Sequence, residues 1–450
     1  MNLLLSLLLA LGFVLGPGDA APNAASDAAS DAASDVDKPR QGTFALTNAR
    51  IVTVTNGTIE QGTLVIEGSQ ITALGADVQP PEGAEVIDCS GLSIYPGMID
   101  SGTRLGLVEV GSLAETRDYR EIGDLTPEAK ALTAVNPSSV SIPVTRVSGV
   151  TTVLTAPTGG LLPGTAALID LVGYTPDQML AGFQAVLLDF PSTGRRGSFD
   201  DRSESEIESA AEKALKKLND VWDRAEMYAR IDSAHAANPD ANRKPAFVPA
   251  MEAMLPVVRG ERTVMIEVDR SDDIRDALAW IDERGLSDQA ILTGVREGWR
   301  VADVLAESGI PVLTGPVLAN PTRGSDRYDK AYANPGLMQQ AGVQVALRTG
   351  EAENVRNLPF HAGFAAAYGM GKAEALRAVT IVPAEIFGVA DEVGSLEVGK
   401  KANLFVANGD PFETKTDVQH LFIDGYKVPL ESRHTRLYDE FLERNPGLEE

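Results

Sequence analysis

Between residues 96 and 392 the sequence alternates short β-branched runs with longer amphipathic stretches, and this alternation restricts the fold more than any other feature. Residues 150–156, 185–189, 263–268, 289–293, 310–313 and 343–347 predict strands, each short and apolar. Residues 205–231, 271–284, 299–308 and 327–340 predict helices, and two more start near Phe360 and Lys372. Such alternation implies a parallel sheet wrapped by helices.

The flanks have a different pattern. Residues 51–55 run into Asn56-Gly57, a hairpin signal, and Gly68-Ser69 separates two further apolar runs, 64–66 and 71–74. Matching strand material returns at residues 402–406 and 418–423. At 450 residues the chain can build one large domain with a smaller satellite. Its net charge of −25 argues against nucleic acid and anionic membrane surfaces as partners. The single cysteine, Cys89, excludes an intrachain disulfide framework and reads as structural.

Residues 3–15 form an apolar run of signal-peptide length, too short to span a bilayer, and Gly18-Asp19-Ala20 suits cleavage before Ala21. A basic n-region is missing, since no Lys or Arg precedes Lys38. Three Ala-Ala-Ser-Asp copies follow within residues 24–35, with too little apolar surface to offset the entropy of ordering. The expectation is a signal peptide over 1–20, a disordered linker over 21–42 and an exported protein, periplasmic or extracellular, with no membrane span after cleavage.

The alternating region opens on Tyr95-Pro96-Gly97-Met98-Ile99-Asp100, followed by Ser101-Gly102-Thr103-Arg104. This resembles the first barrel strand of the amidohydrolase superfamily, where Pro-Gly-x-Ile-Asp leads into a His-x-His metal pair. Residues 255–268, 294–305 and 354–363 extend the resemblance to the exported imidazolonepropionase-like amidohydrolases. It covers roughly residues 43–430 and implies a (β/α)8 TIM barrel over 96–392. A small β-sandwich built from both chain ends, 43–95 and 393–430, would sit beside it, followed by a tail, 431–450, holding a short surface helix.

The resemblance also implies zinc or another divalent metal, held from the first, fifth, sixth and eighth strands, and hydrolysis of non-peptide C–N bonds such as cyclic amides. This chain departs from that pattern at every ligand position. Gly102 and Arg104 replace the paired histidines, Glu267 the fifth-strand histidine, Gly294 the sixth-strand histidine, and Gly350 the eighth-strand aspartate that serves as general base. Glycine offers no side-chain donor, and arginine stays protonated and repels a dication. One carboxylate cannot hold a zinc that needs three or four donors, so no metal cofactor is expected. Because positions 104 and 267 face one centre in related barrels, an Arg104–Glu267 pair is expected to fill the vacated position. Arg348 is a competitor for Glu267 or a partner for Glu351.

The four histidines do not rebuild the site: His361 reads as a partly exposed helix-start residue, and His235, His420 and His434 as surface residues. The glycines at 159, 160 and 164 read as a tight connection, and no nucleophile elbow, His-Glu-x-x-His or P-loop occurs. Two functions follow. One is a pseudoenzyme that binds a small-molecule ligand or a protein partner, with homo-oligomers common among relatives. The other is a metal-free hydrolase of carbon–nitrogen bonds with Glu267 as base and Arg104 or Arg348 stabilising an oxyanion.

Overall fold

The computed structural model describes residues 38–195 and 200–444. The expected signal peptide, the Ala-Ala-Ser-Asp repeats and the last residues of the tail lie outside the described residues. Eight strands form a barrel in chain order: Met98–Thr103, Val150–Thr155, Gly164–Asp170, Leu180–Asp189, Val264–Val268, Ala290–Gly294, Val312–Thr314 and Val345–Leu347. The first and eighth nearly close the ring, through the Gly350 N–H donating to the Gly102 carbonyl at 2.9 Å and the Arg104 N–H to the Glu351 carbonyl at 2.8 Å.

The barrel departs from an eightfold βα repeat at its third strand. Residues 159–164, expected to be only a tight connection, lead into Gly164–Asp170, which is antiparallel to both neighbours. A parallel return needs a crossover of a dozen or more residues, and residues 156–163 are too few to supply one. From the fourth strand onward all pairings are parallel. Here the expected helices intervene, including Glu204–Ala237, opened by a Ser203–Glu206 capping box, and Ser271–Glu283. Their apolar faces meet in a T-shaped contact between Trp222 and Trp280, with ring centroids 5.1 Å apart.

A second eight-stranded sheet joins the two chain ends. Leu404–Ala407 pairs antiparallel with Ser93–Pro96, which in turn pairs with Thr43–Val52. Phe44 and Phe422, from opposite ends of the chain, pack edge to face at 5.2 Å. The turns at Asn56-Gly57 and Gly68-Ser69 connect the first three strands of this sheet, as their sequences predict. Cys89 is fully buried in its core, and burial pushes the thiol up to about 11. The tail helix, Arg433–Glu443, buries none of its residues. Among the described residues no helix is long and apolar enough to cross a membrane.

Strand pleating sets what faces the barrel axis. Ile99, Leu187, Met265, Ile291, Leu313 and Ala346 belong to one apolar cluster in the barrel interior. Side chains alternate along a strand, so the residues two positions further on should form the next layer. These are Ser101, Asp189, Glu267, Thr293, Gly315 and Arg348. The polar layer therefore lies directly above an apolar plug, at the C-terminal ends of the strands.

Candidate functional site at the barrel mouth

Arg348 and Glu267 dominate this layer. The guanidinium forms a bidentate pair with the carboxylate, Nη1 to Oε2 at 2.7 Å and Nη2 to Oε1 at 2.5 Å, and Nη1 also donates to the Thr293 hydroxyl at 2.8 Å. Burial alone would push the guanidinium down, but the charge and hydrogen bonds of Glu267 outweigh it, and the group is raised overall. The expected Arg104–Glu267 pair does not form. Arg104 instead donates Nη2 to the Gly350 carbonyl at 3.2 Å, and its guanidinium lies 5.2 Å from the centre of the Tyr119 ring. The reason is reach and phase. Position 348 continues the inward phase of Ala346, whereas the first strand is irregular between Asp100 and Thr103, which takes Arg104 out of simple alternation.

Two of the glycines at positions where the resemblance implies ligands have a steric explanation. A Cβ on Gly102 would lie 2.9 Å from Arg348 Cδ. On Gly294, where φ is +87°, a Cβ would lie 2.6 Å from Asp269 Oδ1 and 2.9 Å from Glu267 Oε1. The space a histidine would need is thus taken by the ion pair and its neighbour. Gly350 has nothing closer than Pro316 Cδ at 3.8 Å, so crowding does not explain it.

Two carboxylates that the ligand comparison passes over flank the pair. Asp269 Oδ1 is buried without a hydrogen-bond partner, and burial, reinforced by the Glu267 charge, pushes Asp269 up to about 6. Asp100 is fully buried and accepts from the Gly102 N–H at 3.1 Å, the Thr349 N–H at 3.1 Å and the Thr349 hydroxyl at 2.6 Å. Burial pushes it up to about 7, the hydrogen bonds opposing that rise. The aspartate of the Pro-Gly-x-Ile-Asp stretch thus ties the first strand to the end of the eighth.

His361 differs from its expected place. It is buried, its Nδ1 accepts the Val317 N–H at 3.1 Å, and burial depresses it to about 4, so it is a neutral structural group with the proton on Nε2. His235 and His420 are half-buried and His434 is exposed. The Glu351 backbone helps to close the barrel, and Arg348 is engaged by Glu267.

Above the pair lies a cavity of about 300 Å³, lined by Arg104, Thr103, Thr158, Leu187, Met265 and Arg348 among others. A divalent metal does not fit this donor set. The carboxylate of Glu267 is occupied by a guanidinium, and Gly102, Arg104, Gly294 and Gly350 present no lone pair from a side chain. Among the described residues no group of three or more His, Cys, Asp or Glu side chains is placed to hold a metal ion.

An eight-stranded barrel with a sheet from both chain ends, carrying a polar layer at its mouth, defines an amidohydrolase-type fold. Residues 320–428 match the family model described as "Amidohydrolase family". An amidohydrolase from Thermotoga maritima superposes with a TM-score of 0.75 at 24% identity, over 86% of this chain and 99% of that one. A molinate hydrolase gives a TM-score of 0.53 at 16% identity, over 87% of this chain and 95% of its own. A prolidase complexed with N-methylphosphonate-L-proline gives 0.51 at 16% identity, over 86% and 99%. No curated protein sequence matches the chain significantly.

Proposed function

We propose that this protein is a non-catalytic member of the amidohydrolase family that binds a small molecule at the barrel mouth and acts outside the cytoplasm. The observation that carries the reading is the two-pronged grip of Arg348 on Glu267. A general base must reach a substrate proton or water within hydrogen-bond distance, and both Glu267 oxygens already accept from the guanidinium. The same grip weakens the metal-free hydrolase reading, because Arg348 is neutralised and Glu267 is occupied. The cavity supports a binding role, since its volume falls at the lower end of the range of roughly 300–1,000 Å³ typical of ligand pockets. Export rests on the apolar leader alone; N-terminal sequencing of protein from its native host tests it, and a cytosolic chain still beginning at Met1 refutes it.

Metal analysis combined with amide and lactam hydrolysis tests the reading. The expected result is substoichiometric metal and no turnover, with or without added zinc. Stoichiometric metal with turnover abolished by a chelator would overturn it. Turnover that survives the chelator but disappears in Glu267→Gln would favour the metal-free hydrolase.

A further inference from the structure

Building on the ligand-binding reading, we infer that the mouth cavity takes a small organic oxyanion, a carboxylate or phosphate monoester, and that Arg104 is the residue that captures it. Two guanidiniums, Arg104 and Arg348, and two carboxylates, Glu267 and Asp189, line the cavity, and the guanidiniums are in different electrostatic states. Arg348 is neutralised by Glu267. Arg104 is oriented by one backbone carbonyl and the face of Tyr119, and no ion pair links it to a carboxylate among the described residues. A half-buried arginine held in this way is preorganised: one of its five N–H donors is engaged, and its orientation is fixed before a ligand arrives. The main chain at Tyr119 is held in place, since its carbonyl accepts the Thr158 N–H at 2.7 Å, and Thr158 lines the cavity.

The surroundings reinforce the sign. A second cavity of about 570 Å³ adjoins the mouth, sharing Gly159 and Asp189 with it. It is lined by four cations, Arg120, Arg202, Lys213 and Lys217, against Asp124 and Asp189. Lys217 pairs with Asp124 at 2.7 Å and Arg202 with Asp200 at 2.6 Å, while no ion pair links Arg120 or Lys213 to a carboxylate among the described residues. Arg120 stands at the junction, where a Cβ on Gly159 would lie 2.9 Å from its Nε. In a chain of net charge −25, a cleft with an excess of cations concentrates small anions that the rest of the surface repels. The apolar wall of Leu187, Met265, Pro157 and Pro163 suits an organic body behind the charged head.

The probes are phenylacetate, phenyl phosphate and the uncharged isostere phenylacetamide, measured by calorimetry and thermal shift on wild type, Arg104→Gln and Arg104→Lys. Binding of at least one anion to wild type is expected, with affinity weakened about tenfold or more in Arg104→Gln and partly kept in Arg104→Lys. Preference for phenylacetate assigns a carboxylate, and preference for phenyl phosphate a phosphate monoester. Equal binding of phenylacetamide, unchanged affinity in Arg104→Gln, or no binding of either anion up to about 10 mM overturns the proposal. The comparison within wild type does not depend on the folding of any variant. Release of phenylacetate from phenylacetamide would sink the non-catalytic reading while leaving the role of Arg104 intact, so the two ideas fail separately.

Discussion

Two arginine–carboxylate clamps can be compared directly: Arg348 on Glu267 inside the barrel mouth, and Arg323 on Glu297 beside it. Both are bidentate, the second with Nε to Oε1 at 2.7 Å and Nη2 to Oε2 at 2.6 Å. They differ in which partner is deep. At Glu297 the acid is 0% exposed and the arginine 33%; at the mouth the arginine is 15% exposed and the acid 28%. They also differ in saturation. Glu297 additionally accepts the Ser271 N–H and hydroxyl, both at 3.1 Å, and the Thr322 hydroxyl at 2.8 Å. Burial would raise Glu297, but these donors and Arg323 hold it down at about 2. It is a latch, fastening the loop after the seventh strand to the start of helix Ser271–Glu283. The mouth clamp has fewer donors and a neighbouring carboxylate, Asp269, with an unpartnered oxygen. A saturated clamp holds backbone in place, whereas the mouth clamp fills a hole and cancels charge.

The largest expected effect comes from Arg348→Met, which leaves Glu267 and Asp269 without their cation. A loss of about 3–5 kcal/mol in urea denaturation is expected, whereas the double variant Arg348→Met with Glu267→Leu should recover most of it. If the single and double variants lose the same amount, the mouth pair is not acting as a charge-cancelling unit. Arg323→Gln should lose less, about 1.5–3 kcal/mol, because Glu297 keeps its Ser271 and Thr322 donors. A larger loss there than at Arg348 would reverse the ranking of the two clamps.

Gly294→Ala should cost about 1–3 kcal/mol, since its Cβ meets both mouth carboxylates and its φ of +87° disfavours a side chain. Relief of that cost in a Glu267→Ala background would confirm the crowding, and no relief would assign it to the backbone. The smallest effect is in the pH profile. Glu297 lies below its ordinary 4.5, so its contribution is present above that value and is lost as pH falls toward about 2. Asp100, near 7, and Asp269, near 6, lie above their ordinary 3.8. So does Asp170, which is buried at the end of the third barrel strand, accepts from the Thr152 hydroxyl and Asn403 Nδ2, and is pushed by burial up to about 6. Their folded forms keep protons that the unfolded chain releases near 3.8, so their contribution is complete below that value and is lost as pH rises from there through 6 and 7. The melting temperature should therefore peak just below about pH 4, and Glu297→Gln should flatten only the acid side. A melting temperature that climbs steadily from pH 4 to 7 would contradict the burial of the three aspartates.

The sequence by itself determined the layout. Hydrophobic periodicity located the barrel strands other than the third, Asn56-Gly57 and Gly68-Ser69 located the hairpins, and the family resemblance pointed to 102, 104, 267, 294 and 350 as positions of an altered donor set. The strands and turns are local properties, carried by residue type and spacing. Tertiary structure decided what fills the mouth. Arg104 and Arg348 are equivalent in charge and both reach the region, so residue type alone cannot choose between them as partners for Glu267. The pleat offered a clue, since Arg348 is in phase with Ala346 and Glu267 with Met265. The register between strands and the irregular first strand were needed to use it. The antiparallel third strand and the burial of His361 were likewise decided by packing, because direction and solvent exposure depend on neighbours far away in the chain.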